Sequence, residues 1–156
     1  MDMRIVQAGL SGRKLKGLRM AILNHSDDEE TATKLAEFLK LVGVSTWRRS
    51  DMLAGQVIHL AAREELRKAH FVLVLCSRSS MQKTGEFQVT LKAALQLADE
   101  MPEGGIRIIP IRIEEVSLQS SLDHLWQVDI WDHDAWERLI SSFEKELSRR
   151  RQAHDM

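Results

Sequence analysis

The 156-residue sequence has a single cysteine, Cys76, only two prolines and no tyrosine. One thiol excludes a disulfide framework, and a reducing compartment is the default expectation, so the chain is read as cytoplasmic. No apolar segment approaches the ~20 residues that span a bilayer, and the N-terminus lacks the apolar core of a signal peptide. Charges nearly cancel, at a net of −1, so no excess of either sign points to nucleic acid. The six histidines are scattered, with neither an HExxH pattern nor a Cys/His pairing, which leaves no metal motif. Internal repeats and low-complexity segments are missing as well. What remains is one domain, 44% hydrophobic, able to bury a full core.

The densest signal lies between Ala69 and Leu95. Phe71 to Cys76 is an unbroken apolar run, as expected of a strand covered on both faces. The polar loop Ser77-Arg78-Ser79-Ser80 follows, and Lys83-Thr84-Gly85 introduces a helix with the stripe Phe87, Leu91, Ala94, Leu95 and Ala98. Upstream, Met20 to Leu23 reads as a short strand. Ser26 with Glu29 fits a capping box, with Asp27, Asp28 and Glu30 adding negative charge to a first helical turn. That helix buries Ala32, Leu35, Ala36, Leu39 and Val42, and Gly43 stands where a left-handed cap is expected. Val44 to Trp47 is a second strand. The loop Arg48 to Gly55 then leads to a helix marked by Ile58, Ala62, Leu66 and Ala69.

Beyond the turn cluster Met101 to Gly105, Ile106 to Ile113 is strand-like, and Pro110 marks a weakly paired point or an exposed edge. Val128 to Trp131 is a last short strand. Asp134 with Glu137 caps a final helix with apolar positions Trp136, Leu139, Ile140, Phe143 and Leu147. Capping also accounts for the Asp132-His133-Asp134 cluster better than metal binding does. Five alternations of strand and helix imply a parallel sheet flanked by helices. Residues 1–18 read as a flexible basic leader, 19–147 as the folded domain and 148–156 as a disordered tail.

In open α/β sheets ligands sit at the carboxyl ends of the strands, so function is sought there. Several chemistries are excluded. The segment Gly12 to Gly17 resembles a phosphate-binding loop, but Leu18-Arg19 follows where lysine and a hydroxyl are required. A phosphoryl-accepting receiver needs an aspartate after the third strand and a lysine after the fourth; Cys76-Ser77 and Ile113-Glu114 stand there. No GxGxxG set follows any strand. Cys76, ending a buried run, reads as inert packing.

Five segments in order do resemble one family. Ala21 to Glu30 (AILNHSDDEE) is similar to the first box of the Toll/interleukin-1 receptor (TIR) domain, bacterial-type branch. The spacing of Trp47, Asp51 and Gly55 resembles its second strand and the loop beyond. Val72 to Ser80 resembles the third strand with its following serine. Lys83 to Gly104 (KTGEFQVTLKAALQLADEMPEG) is the most specific piece, and Leu125 to Ile130 resembles the final strand. The resemblance implies a flavodoxin-like three-layer fold with a five-stranded parallel sheet.

It also implies two jobs. Many family members hydrolyse or cyclise NAD once self-associated in immune or anti-phage signalling; others only assemble, TIR against TIR. By analogy, Asn24, His25, Trp47 and Ser77 would line a nucleotide pocket for NAD as substrate or ligand. The loop residues Arg48, Asp51, Met52, Leu53 and Gly55 would contact another copy or another TIR domain. Catalysis in the family depends on a glutamate whose place here is taken by Thr90, which supplies no negative charge to a developing oxocarbenium ion. Glu86, one helical turn before Thr90, is the residue that would serve an active NAD nucleosidase. The expectation is therefore an assembly module with a nucleotide pocket and doubtful catalysis.

Overall fold

The computed structural model describes residues 2–82, 84–101 and 105–155. Five strands, β1 (Arg19–Leu23), β2 (Ser45–Trp47), β3 (Phe71–Cys76), β4 (Arg107–Arg112) and β5 (Val128–Asp129), form one sheet in the order β2-β1-β3-β4-β5. Every neighbouring pair is parallel. Helices α1 (Arg4–Leu10), α2 (Glu29–Leu41), α3 (Ile58–Lys68), α4 (Glu86–Glu100) and α5 (His133–Asp155) cover it. The architecture is the flavodoxin-like α/β fold.

Parity along the strands divides the core. Successive side chains point to opposite faces. Phe71, Leu73 and Leu75 therefore join Met20 and Ile22 in a layer packed by α1, α2 and α5, through Leu10, Leu39, Trp136 and Phe143. Val72, Val74 and Cys76 join Ala21 and Leu23 in a layer packed by α3 and α4, through Leu66, Leu91 and Leu97. This double burial explains why β3 is apolar at every position.

Both termini depart from expectation. Residues 4–10 are not a flexible leader but the helix α1, and Met3, Val6, Leu10, Leu15 and Leu18 are buried. Met3, Val6 and Leu10 fall at i, i+3 and i+7, a helical stripe too short to stand out in the sequence. Gly9 allows the close approach to α5, because a Cβ there would meet Trp136 Cδ1 and Ile140 Cδ1, both at 2.8 Å. Arg13 fixes the turn after α1 through Glu137 (3.1 Å) and Glu144 (3.0 Å). At the other end α5 runs to Asp155, so the segment from Ser148 is helical rather than disordered. Glu146, its side chain 3% exposed, holds this stretch by pairing with Arg107 (3.1 Å), Arg149 (2.7 Å) and Arg150 (2.9 Å).

Two caps also differ. A short 3-10 turn, Ser26–Asp28, precedes α2, and His25 Nδ1 rather than Ser26 accepts the orphan N–H of Asp27 (3.0 Å). At α5 the cap is Asp132, whose Oδ1 accepts from the N–H groups of Asp134 (3.1 Å) and Ala135 (3.2 Å). Asp134 stands two positions beyond that cap. Along α4, Leu97 is buried where Leu95 was expected, with Leu95 and Ala98 half-buried. Gly43 does adopt positive φ, +97°. Pro110 pairs with Val74 of β3 but lies outside the β4–β5 ladder, which holds only Ile111 and Arg112. Of the expected turn cluster, Pro102 to Gly104 lie outside the described residues, as does Lys83.

Candidate functional site

At the carboxyl ends of β1 and β2 a cleft of about 390 Å³ opens between the turn before α2, the loop after β2 and the first turns of α4. Ile22, Leu23 and Phe87 give it an apolar part, and Asn24, His25, Glu29, Arg49, Glu86 and Thr90 a polar one. The size and mixed lining suit a small organic ligand.

Glu29 is the best-fixed group. It accepts from Asn24 Nδ2 (2.9 Å) and from Arg48 Nη1 (2.8 Å). The Asn24 amide, with Ser50 and Arg48 adding to it against the opposing effect of burial, holds its carboxyl below the usual glutamate range. Arg48, 13% exposed, also donates to Thr33 Oγ1 (2.9 Å), so the second basic residue after β2 is the freer one. That residue, Arg49, reaches across the cleft to Glu86 Oε2 at 2.6 Å. Glu86 is 75% exposed, and Thr90 Oγ1 turns back to donate to the Glu86 carbonyl (3.1 Å). His25 Nδ1 is an acceptor, which leaves the ring proton on Nε2.

Of the residues singled out in the sequence, Asn24, His25, Glu86 and Thr90 come together in the cleft. Trp47 and Ser77 do not line it. Trp47 packs against the α3/α4 layer. Ser77 is buried and donates to Asp28 Oδ2 (2.5 Å), while its N–H donates to Ser80 Oγ (2.8 Å). Burial pushes the Asp28 carboxyl up, with the Ser77 hydroxyl working against it. Glu29, Arg49 and Ser50 were missed as site residues. Glu29 reads as a capping acid, and only its five-residue separation from Asn24 hints otherwise.

The loop beyond is pinned at its start, where Asp51 Oδ2 accepts from the Arg48 N–H (2.9 Å). Met52 is half-buried, but Leu53 is 73% exposed. Val57, Ile58 and Leu60 are exposed nearby in the chain. Cys76 is buried and its thiol pushed up to about 12 by that burial, so it is no nucleophile. Among the described residues no group of three His, Cys, Asp or Glu could hold a metal ion, and no helix is long and apolar enough to cross a membrane.

The TIR domain family model matches residues 22–141, from β1 into α5 and across the whole cleft. The chain belongs to the TIR family. Among solved structures, this TIR domain is similar to that of the Toll-related receptor TRR-2 from Hydra magnipapillata, with a TM-score of 0.66 at 20% identity. The match covers 80% of this chain and 97% of that one, and at that identity it speaks for the fold alone. No curated protein matches the chain.

Proposed function

We propose that this TIR domain works in signalling by self-association or by pairing with another TIR domain, and that its cleft takes a NAD-like nucleotide without cleaving it efficiently. The observation that carries the second half is the state of the carboxylates. Breaking the nicotinamide–ribose bond builds positive charge on the sugar, so a carboxylate free to face it is needed. Glu29 is held by Asn24, Ser50 and Arg48, Thr90 offers only a hydroxyl, and Glu86 is 75% exposed, so water screens its charge. For the first half, the loop from Arg48 to Gly55 presents Leu53 to solvent, and Leu60 of α3 is 66% exposed. Apolar side chains clustered in one exposed stretch are the usual mark of a protein contact. A cytoplasmic place in immune or anti-phage signalling, in the bacterial-type branch, belongs to the same proposal.

The competing reading is an active NAD nucleosidase using Glu86, favoured by the position of Glu86 in the cleft beside Thr90. Incubating concentrated protein with NAD and measuring nicotinamide release separates the two. Silence in the parent with gain in Thr90→Glu supports the assembly module. Robust turnover that Glu86→Ala abolishes would sink it.

A further inference from the structure

We propose that Arg49 is the anion-recognising residue of the cleft, and that Glu86 occupies its guanidinium until a phosphate-bearing ligand takes its place. The inference rests on the nucleotide-pocket half of the reading above and is independent of the assembly half.

Three observations converge. Among the described residues lining the cleft, Arg49 is the one permanent cation. The neighbouring Arg48 is unavailable, being committed to Glu29 and Thr33 and largely buried. The partner of Arg49, by contrast, is a 75% exposed carboxylate on the far wall. An ion pair so open to water is weak and easily exchanged. A phosphate offers more charge than a carboxylate, and it accepts the planar guanidinium fork through two oxygens. The apolar residues Ile22, Leu23 and Phe87 can cover an uncharged moiety, so a mononucleotide or a larger nucleotide meets both halves of the lining. Thr90, in the lining, carries no charge that would repel an incoming phosphate.

A structural ion pair and an exchangeable one respond differently to removal of each partner. If Glu86 competes with the ligand, Glu86→Gln frees Arg49 and tightens binding; Arg49→Gln weakens it. Titrations of AMP, adenosine and inorganic phosphate into the intact chain, followed by amide NMR shifts and calorimetry, read both effects. The expected result is AMP binding that is about tenfold weaker in Arg49→Gln and several-fold tighter in Glu86→Gln, as a charge-assisted pair lost or released implies. Adenosine should be indifferent to either change. Binding of phosphate alone with the same dependence on Arg49 supports the assignment and makes the anion the main determinant. Circular dichroism checks that both variants are folded.

The inference is overturned if both substitutions shift AMP affinity in the same direction, or if neither shifts it. It is also overturned if neither the parent nor Glu86→Gln binds AMP or phosphate at millimolar concentration. The first two outcomes leave a nucleotide pocket standing without an exchange between Glu86 and the ligand at Arg49; the third removes the pocket. Sedimentation of the same samples reports on assembly separately.

Discussion

Single side chains decide what the cleft can do. Thr90 sits in the lining with its hydroxyl turned to the Glu86 carbonyl. Introducing a carboxylate by Thr90→Glu should raise nicotinamide release from NAD by ~100-fold or more, the scale of one preorganised electrostatic group in a transition state. Glu146 is the equivalent test for stability. Arg149, hydrogen-bonded to it, and then Arg107 and Arg150 hold its carboxyl below the ordinary glutamate range, burial opposing them. A depressed folded-state pKa contributes stability that is present above the unfolded value and lost as pH falls through the folded one. Thermal stability should therefore drop on acidification below the ordinary glutamate range, and less steeply in Glu146→Gln. That variant should itself cost about 2 kcal/mol at neutral pH, because removing a buried charge strands its partners, although these arginines are half in water. Thr90 follows from the resemblance to the TIR family, and Glu86 from its place four residues earlier on the same helix. Glu29 with Asn24 and Arg48, and Arg49 with Glu86, could not be read from the chain, since those partners meet only once β1, β2 and α4 are side by side.

At the level of elements, β3 was legible to the residue, and so were the buried stripes of α2 and of α5 as far as Leu147, because burial imposes a strict pattern on them; the last turns of α5, beyond Ser148, were not. The helix α1 was not. Its three apolar contacts are diluted by Arg4, Gln7 and two small residues, and nothing local shows that a groove on α5 awaits them. Leu10 is 1% exposed against that helix. Leu10→Ala should lower stability by about 3 kcal/mol, the range of a buried leucine truncation, and shift the unfolding midpoint by several degrees in a thermal melt. A flexible leader would show no change. The misplaced caps have a similar cause. His25 and Asp132 act one or two positions before the residues that composition favours, and cap geometry depends on how the chain enters the helix rather than on residue type alone.

For the whole molecule, the parallel order gathers Asn24, Glu29, Arg49 and Glu86 at one end of the sheet and leaves the neighbouring loop outward. Leu53→Asp should keep the melting temperature while reducing concentration-dependent association in sedimentation velocity; an unchanged profile would remove that loop from the contact. The sheet itself ends in β2 with three residues and β5 with two. Strands so short make poor templates for the backbone of an incoming chain. Any filament of this TIR domain would then be a row of intact globular units, and its fibre diffraction should lack the meridional reflection at about 4.7 Å that stacked strands produce. It should also dissolve on dilution, as amyloid does not.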